Sequence, residues 1–170
     1  MTTILNLDIG LSLEGLMYDL SQLFLLPVLL LIALFFFYAF YSFGVFIWQS
    51  FQRYRGRPAG FELLEIRRYA PDLSYAELEA TAVVRLEFVR IVTRVTPMLG
   101  LVATMIPMGP ALNALGQGQM GDIGKSLMVA FSAVILALIS SALTYSIAHV
   151  RRRWYASDLL KLEQENGRLA

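Results

Sequence analysis

Three long apolar runs, separated by more polar segments, dominate the pattern along the chain. Residues 23–48 contain no charged side chain, and residues 91–115 and 126–150 contain no Asp or Glu. Each run is longer than the roughly 20 residues that cross the hydrocarbon core of a bilayer. The pattern therefore predicts an all-α membrane protein with transmembrane helices at 23–48, 91–115 and 126–150.

The segments around these runs also have recognisable patterns. Residues 1–22 alternate apolar and polar up to Leu13 and then become helical, which predicts an external amphipathic segment. Residues 49–90 are helical with a break at Ala70–Pro71, and 151–170 continue the third helix. Residues 116–125, GQGQMGDIGK, form a short glycine-rich loop, so the second and third spans are predicted to be an antiparallel hairpin.

The distribution of charge predicts the orientation. Charged residues are 16% of the chain, against roughly 25% in soluble domains. Lys and Arg are absent from residues 1–22, and only one occurs in 116–125. Positive charge concentrates on the cytoplasmic side of membrane proteins. Long cytoplasmic helical extensions and an N-out/C-in topology are therefore predicted from the remaining basic residues, which include Arg53, Arg55, Arg67, Arg68, Arg85, Arg90, Arg94, Arg151, Arg152 and Arg153.

Charged residues in these extensions suggest ordinary surface ion pairs. Glu87 is expected to pair with Arg90 or Arg94, and Glu79 with Arg85.

The C-terminal tail has its own pattern. Trp154 and Tyr155 follow three arginines and are expected to be an interfacial anchor. Its leucines are expected to pack on the other cytoplasmic helix or on a neighbouring subunit: Leu159, Leu160, Leu162 and Leu169.

Small residues recur at steps of three and four in the second and third spans, which keeps them on one helix face. Such residues let helix backbones approach closely in lipid, where no hydrophobic force drives helices together. The two helices are therefore expected to pack on each other or on copies in an oligomer. The lines are Thr93, Pro97, Gly100, Thr104 and Ala111 in the second span, and Ala130, Ala133, Ala137, Ser140 and Thr144 in the third.

Three prolines within the second span suggest more than a lipid-crossing segment. Each proline removes a donor and frees the carbonyl four residues earlier; for Pro97, Pro107 and Pro110 these are the carbonyls of Thr93, Ala103 and Ile106. Irregular backbone in a membrane is tolerated where it is buried in protein or faces a watered cavity.

Thr104 lies between the first two of these prolines. Its hydroxyl can serve a water chain or a carboxylate from elsewhere, or bond back to the carbonyl of Gly100. Periodicity alone favours the second fate.

Several classes of chemistry find no support. The chain has no cysteine and a single histidine, and we find no nucleophile–base pair, metal cluster or phosphate-binding loop. Neither an enzyme, a cofactor, a metal site nor a nucleic-acid partner is expected. Ion pathways are normally marked by intramembrane Asp, Glu or His. If the chain conducts protons, a partner must therefore supply the titrating group.

The segment TPMLGLVAT resembles the P-x-x-G-L-x-x-T motif on the second channel helix of the MotA/TolQ/ExbB proton-channel family. Pro97, Gly100, Leu101 and Thr104 carry this resemblance. SLMVAFSAVILAL is similar to the start of the family's third span, and VRRRWY to its basic exit. The likeness covers about the last 80 residues and the three-span, N-out topology.

The resemblance implies a multi-pass protein of a prokaryotic cytoplasmic (inner) membrane, in contact with its lipids. It implies a homo-oligomer, a pentameric ring around a dimer of a single-span ExbD/TolR/MotB-like partner that carries an essential Asp. Thr104 carries over as the pore threonine of span two.

Two family features do not carry over. The second pore threonine is replaced by Ala130 or Val134, depending on the alignment, and Ser132 is the candidate substitute in the ion pathway. Lys125 and Ser126 stand where many ExbB-like members have an acid.

Two functional hypotheses follow. In the first, the chain is the ring-forming channel subunit of a proton-driven, ExbB/ExbD-like motor that couples ion flow to work on an envelope or transport partner. The short cytoplasmic segment favours this role over flagellar rotation. The candidate packing and pore-lining residues are Pro97, Gly100, Pro107, Ala133, Ala137, Ser140 and Thr144. In the second hypothesis, the chain is a non-conducting membrane scaffold that assembles or stabilises a partner. A small-molecule transporter is less favoured, because neither inverted halves nor paired broken helices are seen.

Overall fold

Four helices make up the described part of the chain, as the all-α prediction requires. The computed structural model describes residues 2–55, 61–70, 73 and 75–169, without the side chains of residues 2–12, 14, 122 and 165–169. The helices are α1 (Thr2–Tyr54), α2 (Glu62–Tyr69), α3 (Tyr75–Gly116) and α4 (Met120–Leu169). Within these residues, α1, α3 and α4 are long and apolar enough to cross a membrane.

The three long helices extend well beyond a bilayer. Helix α1 has 53 residues, α3 has 42 and α4 has 50. At about 1.5 Å per residue, each is roughly 60–80 Å long, about twice the roughly 30 Å hydrocarbon core. Each of them must therefore leave the hydrocarbon core on at least one side. That the extensions of α3 and α4 are cytoplasmic, and that residues 1–22 are external, remain predictions.

Helix boundaries near the predicted breaks follow from local chemistry. Helix α2 has acidic residues in its first turn and Arg67 and Arg68 in its last, which suits the helix dipole. It ends at Tyr69, immediately before the predicted break at Ala70. Pro71, the other residue of that break, lies outside the described residues.

The connection between α3 and α4 is only three residues long, Gln117 to Gln119. Gly118 has a φ of +72°, a left-handed conformation that glycine adopts at little cost. The amide of Gln119 donates to the carbonyl of Ala114 at 2.9 Å, and that of Gly118 to the carbonyl of Leu115 at 3.1 Å. This pair of bonds is a Schellman motif, which ends α3 and reverses the chain. The regular helix resumes at Met120, inside the ten residues predicted as an external loop.

Contacts divide the chain into two compact units. Unit 1 consists of Met1–Phe35 and Thr96–Leu138. Its core is formed by two residues of α1 and three alanines of α3 and α4, Val28, Ile32, Ala103, Ala133 and Ala137. The small side chains allow the helix backbones within this unit to lie close together.

Unit 2 consists of Phe36–Val95 and Ile139–Ala170. Its apolar core joins α2, α3 and α4 and has larger side chains than that of unit 1: Leu63, Leu78, Ala82, Leu86, Tyr155, Leu159 and Leu162. Leu159 and Leu162 thus pack on the other helices, as expected of the tail leucines, whereas Leu160 is exposed. Leu169 lies outside the described side chains.

Polar contacts in unit 2 correct two expectations. Tyr155 is buried, and its hydroxyl donates to Glu62 at 2.7 Å, so it is a core residue and not an interfacial anchor. The ion pair predicted between Glu79 and Arg85 is wrong, because Arg85 pairs with Glu62. Glu79 and Arg85 are six residues apart, a spacing that does not bring side chains together on a helix.

Candidate functional site

Thr104 lines a cavity of about 350 Å³ in unit 1. The other walls are Met105 and Met108 of α3 and Leu127, Ala130 and Phe131 of α4. The Thr104 hydroxyl donates to the carbonyl of Leu101 at 2.7 Å. It therefore bonds back to its own helix, one residue later than the Gly100 carbonyl that periodicity suggested. Its lone pairs remain available as acceptors toward the cavity.

The cavity also distinguishes the two candidate positions for the missing threonine. Ala130 shares the cavity with Thr104. Val134 instead lies beside Gly100, where its Cα is 3.7 Å from the point that a Cβ would occupy. The position facing Thr104 is therefore held by a methyl group without a hydroxyl.

Ser132 faces a different cavity from Thr104. Its cavity, of about 380 Å³, is lined by Leu29 and Ile32 of α1 together with α4 side chains. Two residues along a helix correspond to a rotation of about 200°, so Ser132 and Ala130 point to nearly opposite sides of α4. The structure thus does not bring the Ser132 and Thr104 hydroxyls together within one chain.

Helices α3 and α4 pack tightly at Gly100 in unit 1. A Cβ atom at this position would lie 2.9 Å from the Cβ of Ala137, closer than carbon atoms normally approach. Gly100 is buried, and Ala137 is fully buried. The third-span line of small residues is buried throughout, since Ala130, Ala133, Ser140 and Thr144 are each no more than 4% exposed.

Side chains from other helices donate hydrogen bonds to two of the three carbonyls that the prolines free. The Ser141 hydroxyl of α4 donates to the carbonyl of Thr93 at 2.8 Å. The Gln22 amide of α1 donates to the carbonyl of Ile106 at 3.4 Å, a long hydrogen bond. The prolines therefore create acceptors that hold α3 to its neighbours inside each unit.

A hydroxyl network surrounds the first of these carbonyls. Thr93 donates to the carbonyl of Val89 at 2.8 Å and lies 3.0 Å from the Thr144 hydroxyl. Thr144 in turn bonds the carbonyl of Ser140 at 2.8 Å and that of Ser141 at 3.1 Å. Each hydroxyl thus has a partner in the buried contact between α3 and α4, which favours a fixed packing arrangement.

Gln22 and Ser141 were not among the residues singled out from the sequence. Both are polar groups at apolar segments: Gln22 directly precedes the first span, and Ser141 follows Ser140 in the third. The three carbonyls freed by prolines could have indicated such residues, because each buried acceptor needs a donor from elsewhere in the protein.

The comparison with family models identifies the chain. The model of the MotA/TolQ/ExbB proton channel family matches residues 64–164, more than half of the chain. The chain belongs to this family. No curated protein and no solved structure gives a significant match.

Membership of the MotA/TolQ/ExbB family agrees with the three apolar helices, and together they indicate a membrane protein. The family is a class of proton channels and not of conventional enzymes. The match includes Pro97, Gly100 and Thr104 as well as the α4 residues that surround them.

Proposed function

We propose that this chain is the ring-forming channel subunit of a proton-driven, ExbB/ExbD-like motor in a prokaryotic inner membrane. It couples ion flow to work on an envelope or transport partner. The observation that carries the proposal is the family match across α3 and α4, combined with a threonine hydroxyl that lines a cavity between apolar segments of those helices.

In this proposal Thr104 is the protein's own polar group on the ion pathway. Its hydroxyl, already donating to Leu101, accepts a hydrogen bond from a water molecule or from a protonated carboxyl group. The carboxyl belongs to an Asp of a single-span ExbD/TolR/MotB-like partner. Ser132 is a second candidate pathway residue, in a separate cavity.

A ring of copies, with five as the expected number, surrounds that partner. Large apolar side chains remain exposed on all three long helices, among them Phe37 and Met105 at 72% and 69% exposure. Such faces suit lipid, copies of the chain and an apolar partner span. With N-out/C-in topology, the extensions of α3 and α4 lie in the cytoplasm.

Replacement of Thr104 by Val tests the pathway role. Valine keeps the shape and removes the hydroxyl, so we expect proton-dependent transport by the chain and its partner to fall at least tenfold, while the oligomer persists. Proton flux into proteoliposomes and the mass of the solubilised complex measure these two properties.

Thr81→Val is the matched control. Thr81 also lies on α3 and donates to a carbonyl of its own helix, that of Glu77, at 2.8 Å. It is not among the residues around the Thr104 cavity, so its replacement should leave flux unchanged. Normal flux in Thr104→Val, or an equal loss in both variants, would count against the pathway role.

The alternative function, a non-conducting scaffold, is favoured by one specific observation. Apart from Thr104, the cavity is lined by Met, Leu, Ala and Phe side chains, which provide no second hydroxyl for a water chain. The same flux measurement decides between the two functions. A scaffold would give no proton flux with its partner present, in the unmodified chain as in Thr104→Val.

A further inference from the structure

A second cavity, in unit 2, is lined mainly by cationic and aromatic side chains. Its volume is about 360 Å³. Helix α3 contributes Arg90 and Arg94, and α4 contributes Tyr145, His149 and Arg152. The rings of Tyr145 and His149 lie nearly parallel, with centroids 6.2 Å apart. Three arginines therefore line one opening beside a pair of stacked rings.

The charge of this basic cavity is not neutralised by the described part of the chain. None of the carboxylates that the structure describes lines it. Among the described side chains, Arg90, Arg94 and Arg152 form no ion pair, and the pair expected between Glu87 and one of the first two is not made. Elsewhere in the same unit, Arg53 and Arg85 do have carboxylate partners. The basic cavity therefore has the charge and the hydrogen-bond donors that suit an anion.

The position of the basic cavity along the helices suggests where the anion comes from. Arg90 and Arg94 lie at the beginning of the apolar segment 91–115, and His149 and Arg152 at the end of 126–150. These ends are the level at which a spanning helix meets the head groups of the bilayer. Guanidinium groups there can bind phosphate oxygens through two parallel hydrogen bonds.

We propose that the basic cavity binds a phosphate group, that of the head of an anionic phospholipid. The planar forks of Arg94 and Arg152 approach the phosphate from the two helices, and Arg90 adds a third positive charge. The inference depends on the membrane location of the chain and not on proton conduction. A soluble phosphate has the same chemistry, so the test separates the two sources.

The test uses the purified full-length chain with added phosphatidylglycerol or phosphatidylcholine, and native mass spectrometry measures the bound lipid. In the double variant Arg94→Gln/Arg152→Gln, we expect phosphatidylglycerol to bind about 25-fold more weakly, because each arginine that contacts the phosphate contributes about fivefold to binding of the anionic lipid. All lining arginines are exposed, so the variant should fold. The single Arg94→Gln variant should show an intermediate loss.

The matched control is Arg68→Gln/Arg153→Gln, which removes the same charge from exposed positions outside the basic cavity. It should retain phosphatidylglycerol binding. A third arm adds inorganic phosphate to lipid-free chain and follows thermal unfolding. If phosphate stabilises the chain but not the Arg94/Arg152 variant, while lipid binding is equal in both, the cavity binds phosphate from a soluble source.

Other results would overturn the proposal. Equal losses of phosphatidylglycerol binding in the two double variants would mean that general surface charge, and not a specific site, binds the lipid. Unchanged binding of both phosphatidylglycerol and phosphate would mean that no phosphate group binds there. Loss of a co-purifying partner subunit from the Arg94/Arg152 variant, with phosphate binding unchanged, would assign the cavity to an acidic protein segment instead.

Discussion

At the scale of single residues, Gly100 and Gly44 occupy opposite environments within long helices. A Cβ at Gly100 meets the Cβ of Ala137 at 2.9 Å, whereas a Cβ at Gly44 has no neighbour within 4 Å among the described residues. Alanine in a helix is about 1 kcal/mol more favourable than glycine. Overpacking of a tight contact costs about 1–3 kcal/mol. The two substitutions should therefore have effects of opposite sign.

We expect Gly100→Ala to lower the thermal unfolding midpoint of the solubilised chain, and Gly44→Ala to raise it. The larger Gly100→Leu variant should also dissociate the proposed oligomer, which a mass measurement of the detergent complex would detect. An intact and equally stable Gly100→Leu oligomer would show that this contact does not limit helix packing.

Asp158 is a buried carboxylate in the C-terminal part of α4, outside the apolar segment 126–150. It forms an ion pair with Arg53, whose guanidinium carbon also lies 4.5 Å from the Phe61 ring centre and 4.9 Å from that of Trp154. The second carboxylate oxygen accepts no hydrogen bond from the described residues. Burial raises the pKa of the Asp158 carboxyl above its ordinary value, and the positive charge of Arg53 opposes this rise without reversing it.

This pKa shift predicts how stability depends on pH. A folded-state pKa above the unfolded one means that the folded chain binds the proton more tightly. The resulting stabilisation is full below the unfolded pKa and is lost as pH rises through the folded pKa. The unfolding midpoint of the chain, relative to Asp158→Asn, should therefore rise as pH falls from about 7 to about 4.

Glu163→Gln is the control for this titration, because Glu163 is an exposed carboxylate on the same helix. Thermal unfolding midpoints of the chain and of the two variants, measured in one detergent across the pH range, would give the difference between the chain and each variant. A difference between the chain and Asp158→Asn that decreases toward low pH would contradict the predicted sign.

At the scale of helices, the prolines of α3 and the donors of its neighbours act as pairs. Pro97 frees the carbonyl of Thr93, and Ser141 of α4 donates to it. A buried carbonyl left without a donor costs about 1–3 kcal/mol. With alanine at position 97, the backbone amide of α3 can itself donate to Thr93.

A double-mutant cycle tests this pairing. We expect Ser141→Ala to destabilise the chain in the natural background and to have a smaller effect in the Pro97→Ala background. Denaturant or thermal unfolding of the four chains gives the coupling. Additive effects would mean that the Ser141 hydroxyl and Pro97 do not share the Thr93 carbonyl. Ser146→Ala is the control, since Ser146 is exposed and donates only to the carbonyl of Ala142 in its own helix.

The presence of three long apolar helices and of a helix break near Ala70 could be predicted from the sequence, because three apolar runs and one proline break leave few alternatives. The start of α4 could not, since Gly121 and Gly124 resemble a loop and yet are helical next to the Gly118 turn. The sequence could not predict that Gln22 and Ser141 are donors, because their hydrogen bonds join segments that are distant along the chain. The sequence could have predicted in part that Ser132 and Thr104 line different cavities, because helical rotation alone places Ser132 opposite Ala130 on α4.

At the scale of the whole molecule, the apolar segments lack a titratable carboxylate. Residues 23–48, 91–115 and 126–150 contain no Asp or Glu, and within the described residues no group of His, Asp or Glu side chains could hold a metal ion. Thr104 can relay or orient a hydrogen bond, but a threonine hydroxyl does not titrate in the physiological range. A proton pathway built on this chain is therefore incomplete without a group from another polypeptide.

We accordingly expect the purified chain alone to give no proton flux in proteoliposomes, and flux to appear when the proposed single-span partner is reconstituted with it. Asn in place of the partner's intramembrane Asp should return flux to the background, because the amide keeps the size and cannot exchange a proton near neutral pH. The Asn-containing complex should still assemble, which its mass would show. Flux through the chain alone, or through the complex with Asn, would mean that the conducting group is not a partner carboxylate.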